Sequence, residues 1–333
     1  MKKLQNNLKL LFGLFISGVF LFFAFRKIDF VEMKQSFAEA NYLIFIPSLV
    51  IIFLSHWLRS VRWQYLLKPI KKISVKHLFS ALIIGYMGNA VLPAHLGEFF
   101  RAYIIGRKEH ISVSSTLATI VIERILDLLS LLLIMAFAII IYPFPAWVKK
   151  SGYILFILTM AIPIFLILLK KYTAQTVGLI NQFLKFLPLK FSQRIIEIIH
   201  SFVGGVQELE SKKDYLIIMI QSIFIWACYW FVLHINFYTF NFIDTYQLTV
   251  TSSIVLLVIT TISIVVPSSP GYVGTYHLLC QLSLELFGVP RSIGLTYAIV
   301  LHALNFVPVI IVGIIFTWRE GLSLINLSQK KLD

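Results

Sequence analysis

The residues of this 333-residue chain with the most chemistry to offer are Glu123-Arg124-Ile125-Leu126-Asp127, in the middle of an apolar run from 113 to 141. Glu123 and Asp127 are four apart and share a helix face, while Arg124 is turned from them by about 100° toward a neighbouring helix. Glu98 and Arg101 stand three apart on one turn, just beyond a run broken by Asn89, Pro93 and Gly97. Arg59 and Arg62 follow the apolar run 42 to 58, at its cytoplasmic end. An ionisable side chain costs roughly 2.5–3.5 kcal/mol to place in a bilayer, so each needs a partner or a task. Guanidinium forks suit bidentate phosphate contacts, with carboxylates keeping the empty site neutral or carrying protons. Two carboxylates on one face also permit acid–base work. The alternative for every pair is a buried ion pair that only fixes helix register.

The elements that must carry these residues are membrane helices. Hydrophobic residues make up 59% of the chain and charged residues 13%, against roughly 45–50% and 25% in soluble domains. The net charge of +14 is spread over short stretches between apolar runs, which reads as membrane-surface loops rather than a nucleic-acid footprint. A span needs about 20 apolar residues. That length selects six full spans, at 8–25, 42–58, 113–141, 152–169, 215–241 and 293–316, plus two broken helical hairpins at 78–105 and 248–287. The second hairpin breaks at Pro267, Pro270, Gly271 and Gly274. Irregular backbone of this kind survives in lipid only where protein or a water-filled cavity surrounds it. No cleavage site follows the first run, so it is expected to remain as a span. The architecture is thus all-α, a polytopic bundle within one membrane domain, residues 1–333.

The acid-free basic stretch 59–77 and the basic segment 170–213 place themselves inside by the positive-inside rule, so both termini are expected in the cytoplasm. Lys149, Lys150 and Arg291 are left on the outer side and run against that rule. With this orientation the first hairpin opens inward and the second outward. Repeat A (about 78–141) and repeat B (about 248–316) then form an inverted pair, the arrangement in which broken helices meet near the bilayer midplane. Within 170–213, Ile195, Ile198, Ile199, Phe202, Val206 and Leu209 recur at helical spacing, giving an amphipathic connector for the membrane interface or for the protein itself.

His302, with Asn305 three residues on, falls in repeat B where Glu123 falls in repeat A. His56, His234 and His277 read as interhelical hydrogen-bonding residues. Cys228 and Cys280 read as packing residues. No metal-ligand spacing, Walker A or GxSxG motif occurs, so neither a metal nor a cofactor is expected.

Asn89-x-x-x-Pro93-x-x-x-Gly97-Glu98-x-x-Arg101, Glu123-Arg124-x-x-Asp127 and Pro267-x-x-Pro270-Gly271-x-x-Gly274 resemble the flippase-like membrane domain of the lysylphosphatidylglycerol synthases, the multiple peptide resistance factors, from about Arg59 to Phe316. The resemblance implies a stand-alone lipid translocase module of the cytoplasmic membrane, without the C-terminal synthase domain and with no enzymatic activity, since about 17 residues follow the last span. It implies a lipid site at Glu98, Arg101, Glu123, Arg124 and Asp127. Asn89, Arg59, Arg62 and His302 are added from their positions, and the Pro/Gly breaks are read as hinges. The substrate would be a phospholipid or polyprenyl-phosphate lipid with an anionic or zwitterionic headgroup. A second copy of the chain or a separate lipid-modifying enzyme are the protein partners considered. An intramembrane enzyme acting on a lipid-linked phosphate, or a non-catalytic membrane partner of a synthase or glycosyltransferase, are the competing readings.

Overall fold

A computed structural model describes residues 15–92, 96–184, 189–206, 209, 211–265 and 270–321. The described chain is helical: α1 (Phe15–Phe25), α2 (Phe30–Glu39), α3 (Phe45–Leu67), α4 (Val75–Val91), α5 (Leu96–Lys108), α6 (Val113–Ile141), α7 (Ala146–Lys171), α8 (Thr173–Leu184), α9 (Leu189–Gly205), α10 (Lys212–Ile235), α11 (Phe242–Tyr246), α12 (Val250–Val265), α13 (Thr275–Glu285) and α14 (Arg291–Arg319). Among the described residues, five helical stretches are long and apolar enough to cross a membrane: Tyr42–Leu67, Val113–Ile141, Ala146–Lys171, Lys212–Phe240 and Arg291–Arg319. The first candidate span is seen only from Phe15, as a shorter apolar helix.

One sequence expectation changes here. Arg59 and Arg62 do not begin a loop, because α3 continues through Leu67 and buries both of them. The 26-residue stretch Tyr42–Leu67 is about 39 Å long, more than the hydrocarbon core requires. Charged residues can stay helical inside it because acids of α6 neutralise them. The loop is therefore shorter than 59–77.

α4 and α5 form the first hairpin and α12 and α13 the second. Pro93 and Pro267 lie outside the described residues, but the backbone on either side shows how each break is held. Asn89 Oδ1 accepts a hydrogen bond from the Gly97 amide at 2.9 Å, tying the two arms of the first hairpin across its turn. Gly97 itself is helical and serves as a contact point rather than a hinge: a Cβ there would sit 1.8 Å from the Gly85 carbonyl oxygen. Gly97→Ala should therefore lower stability by about 3 kcal/mol, the upper range for overpacking, because a backbone oxygen cannot move aside as a side chain can. Thermal unfolding in detergent checks this, and an unchanged midpoint would refute it. In the second hairpin, Pro270 starts a short turn through Tyr272 in which Gly271 has φ +64°, followed by Gly274 at φ +94°. A Cβ on Gly274 would also meet the Ser17 carbonyl at 2.7 Å.

The two hairpins enter from opposite ends of the bundle. At one end, Glu109 after α5 meets Lys71 at 3.0 Å and His77 of α4 at 2.6 Å, while Lys108 and Ser80 hold Glu320 after α14. Burial pushes the Glu109 carboxyl up, but hydrogen bonds from His77 and Lys71 hold it below its ordinary value. At the other end, Glu285 of α13 pairs with Arg291 of α14 at 3.0 Å, and the Asp29 amide reaches Ser292. Between these ends the tips meet: Gly271 lies against the Ala90 carbonyl of α4, and His302 of α14 contacts the Gly271 carbonyl at 2.6 Å.

The amphipathic connector divides into α8 and α9. α9 ends at Gly205, short of the Val206 and Leu209 that its apolar spacing includes. It packs on α6, where Ser115 donates to the Ser201 carbonyl at 2.6 Å and Gly205 abuts Ser115 and Ala118. Of the two surfaces considered for it, this one is the protein.

Candidate functional site

Two apolar cores flank a polar layer. On α3, Ile52 belongs to one core and Trp63 to the other, and on α6 Leu131 and Ile120 are divided in the same way. Arg59 and Arg62 on α3, and Glu123, Arg124 and Asp127 on α6, occupy the layer between. The helical period aims these residues at one another, and α5 adds Glu98 and Arg101 from the first hairpin.

Glu123 is fully buried, with its side chain 0% exposed, and is the hub. Its Oε1 receives Arg59 Nη2 at 2.6 Å and its Oε2 receives Arg101 Nη2 at 2.6 Å. Asp127 takes Arg59 Nη2 at 2.6 Å on one oxygen and Arg62 Nη2 at 2.5 Å on the other. Each arginine has further support. Arg59 donates to the Tyr229 hydroxyl at 2.8 Å and Arg62 to Ser222 at 2.9 Å. The Arg101 guanidinium lies 3.6 Å from the centre of the Trp63 ring, whose indole N–H donates to Thr119 at 2.9 Å. The Nε atoms of Arg59, Arg62 and Arg101 are buried without a hydrogen-bond partner among the described residues, so it is the carboxylate contacts at the Nη2 atoms that make burial of these charges tolerable.

Arg124 differs from the other three. Its Nε pairs with Glu98 at 2.9 Å, but its contacts to Asp127 and Glu123 are 3.3 and 3.6 Å, and a third of its side chain (33%) is exposed. It faces a cavity of about 460 Å³. Arg59, Asn89, Glu98, Asp127 and His302 also line it. Arg62, Arg101 and Glu123 do not: they stand behind the wall. Glu98 and Arg101, one turn apart in sequence, thus part company, one to the cavity and one to the buried hub. Much of the remaining lining is apolar and aromatic, with Leu131, Val232, Leu257, Tyr272, Tyr276 and Phe306. Four arginines meet three carboxylates here, so the cluster carries one net positive charge. The arrangement can receive an anionic group at Arg124 and an apolar chain along the rest of the lining.

Tyr86, Tyr229, Tyr272 and Tyr276 were not singled out by sequence reasoning, since aromatics in apolar runs give no signal that separates a cavity wall from ordinary packing. Their positions follow from the hairpin tips and from α10. Among the described residues no three His, Cys, Asp or Glu side chains are gathered in a way that could hold a metal ion.

Residues 10–313 match the family model described as the lysylphosphatidylglycerol synthase TM region. The chain is 24% identical over 320 residues to the UPF0104 membrane protein MJ1595 of Methanocaldococcus jannaschii, covering 91% of this chain and 92% of that one. It is 21% identical over 318 residues to a UPF0104 membrane protein of Methanothermobacter thermautotrophicus, covering 91% and 92%. A shorter likeness, 26% over 130 residues, links 39% of the chain to 21% of the glycosyltransferase AglD of Haloferax volcanii. No solved structure matches.

Proposed function

Starting from the fact that this multi-pass membrane protein belongs to the lysylphosphatidylglycerol synthase transmembrane-region family, we propose that it moves a phospholipid or polyprenyl-phosphate lipid between the leaflets of the cytoplasmic membrane, without altering it chemically. One observation carries the reading. The cavity between the two opposed hairpins joins an arginine-rich wall, with Arg124 turned toward the space, to an apolar wall within the bundle. Lipid phosphate would displace Glu98 from Arg124, because a phosphate can accept from both arms of the guanidinium fork whereas Glu98 contacts it at Nε alone. Glu98 begins the second arm of the first hairpin, so this exchange would loosen the arm that borders the cavity. Arg62, Arg101 and Glu123 would hold the arginine wall in place rather than touch the lipid. The bundle end carrying Lys68, Lys71 and Lys108 would be cytoplasmic.

Reconstitution tests this. Vesicles containing the protein and a trace of headgroup-labelled phosphatidylglycerol are treated with a membrane-impermeant quencher. The expected result is quenching beyond the outer leaflet, against outer-leaflet quenching alone in protein-free vesicles. Plateaus equal to those of protein-free vesicles, for labelled phosphatidylglycerol and for a labelled polyprenyl phosphate alike, would refute transport. Recovery of a chemically altered lipid would favour an intramembrane enzyme. The AglD likeness favours one other reading, a membrane partner of a lipid-linked glycosyltransferase, which predicts no transport and stable co-purification with that enzyme.

A further inference from the structure

A second pocket, of about 450 Å³, opens between the ends of α3 and α10, which belong to two of the stretches long and apolar enough to cross a membrane. Lys68 is the first residue beyond the span Tyr42–Leu67, Lys72 lies in the turn that follows, and Lys213 is the second residue of the span Lys212–Phe240. All three line the pocket together with Gln64, Tyr65 and Asp214. Lys68 pairs with Asp214 at 2.9 Å. Lys72 and Lys213 are exposed and make no ion pair among the described residues, so among those residues the lining adds two ammonium groups to the Lys68–Asp214 pair.

The pocket borders an apolar strip of α10. Lys213, Leu216, Ile217 and Ile220 fall at the i, i+3, i+4, i+7 positions of α10 and therefore share one face. Leu216 and Ile220 are exposed on that face, and Ile217 lines the pocket. A basic recess thus continues along the helix into an apolar strip. A soluble anion would use the recess alone, whereas a phospholipid would use both, its phosphate among the lysines and its acyl chain along α10. The central cavity is elsewhere: its nearest α10 residue, Trp226, is 13 residues from Lys213, roughly 20 Å along the axis.

We propose that this pocket is a boundary site for an anionic phospholipid, separate from the central cavity and independent of the transport reading. Basic recesses between membrane helices attract anionic headgroups, each lysine contributing through charge that neutral headgroups do not answer.

The test uses the full chain in neutral detergent, titrated with dihexanoyl phosphatidylglycerol, dihexanoyl phosphatidylcholine and inorganic phosphate. Lys72→Gln/Lys213→Gln is compared with the unaltered lysines, both with Arg124 present and with Arg124→Gln. Both lysines are exposed, so folding should persist, and thermal unfolding verifies it. The expected result is about thirtyfold weaker phosphatidylglycerol binding when the lysines are replaced, in either Arg124 background. Phosphatidylcholine binding should not change, and inorganic phosphate should not compete at the same concentration. Unchanged phosphatidylglycerol affinity, or an equal loss for phosphatidylcholine, would overturn the site. Competition by phosphate at equal concentration would overturn its assignment to lipid. Because the lysine effect is read in both backgrounds, its failure is distinguishable from failure of the central cavity to bind lipid.

Discussion

Glu123→Ala is expected to remove most of the folded protein. Glu123 is the one carboxylate that receives both Arg59 and Arg101, each at 2.6 Å, and it lies within 4 Å of Arg62 and Arg124 as well. Without it, four guanidinium groups face only Glu98 and Asp127, and Arg101 loses its ion-pair partner. Breaking a buried pair by removing one member costs about 3–5 kcal/mol, since the remaining charge stays desolvated. That is a large part of the roughly 5–15 kcal/mol that ordinarily separates folded from unfolded states. The measurement is the monodisperse fraction on size exclusion, with the thermal midpoint of whatever survives. Glu123→Gln should fall between, because it keeps an acceptor oxygen and loses the charge. A normal midpoint for Glu123→Ala would show that the cluster is not the electrostatic centre of the fold.

Arg124→Gln should have the opposite profile, with the fold intact and lipid handling lost. Its side chain is partly exposed to the cavity, and the two acids beside it keep shorter contacts from Arg59, Arg62 and Arg101. Glu98 loses its partner at 2.9 Å but lines the cavity, where water can replace the guanidinium. Hydrogen bonds to charged groups contribute about 1.5–3 kcal/mol, so lipid movement in vesicles should fall by roughly tenfold to a hundredfold. The thermal midpoint should stay close to that of the parent. Arg124→Lys should recover part of the rate, because an ammonium keeps the charge without the bidentate fork. Arg101→Gln provides the contrast: buried, stacked on Trp63 and off the cavity wall, it should lose stability. If Arg101→Gln and Arg124→Gln behaved alike, the division into a buried support and a cavity-facing contact would fail.

Much of the candidate site is legible in the residues themselves. Glu123 and Asp127 share a face of α6 because the helical period requires it, and they do act together in the structure. Pro270 and Gly271 mark the tip of the second hairpin because a left-handed glycine does not continue a helix, whereas Asn89 and Gly97, both helical, flank the tip of the first and tie its arms together. Other features were out of reach. Ending the second span at residue 58 follows from charge alone, since Arg59 and Arg62 are costly in lipid unless matched. Their match comes from α6, more than 60 residues further on, and no local pattern announces it. Gly97 reads as a breaker in the sequence, yet its place against Gly85 is a matter of interhelical distance.

The sequence by itself thus determined that this is a helical membrane protein with two interrupted segments and an ionisable cluster inside the bilayer. Those properties depend on composition, run length and helical period, all of which are local. Only the tertiary structure decided which arginine meets which carboxylate, that the two hairpin tips touch, and that Arg124 faces the cavity while Arg101 stands behind it. A helix's own period sets the direction in which a side chain leaves that helix. What it then meets depends on packing between helices distant in the chain, where a few ångströms separate a buried ion pair from a cavity wall.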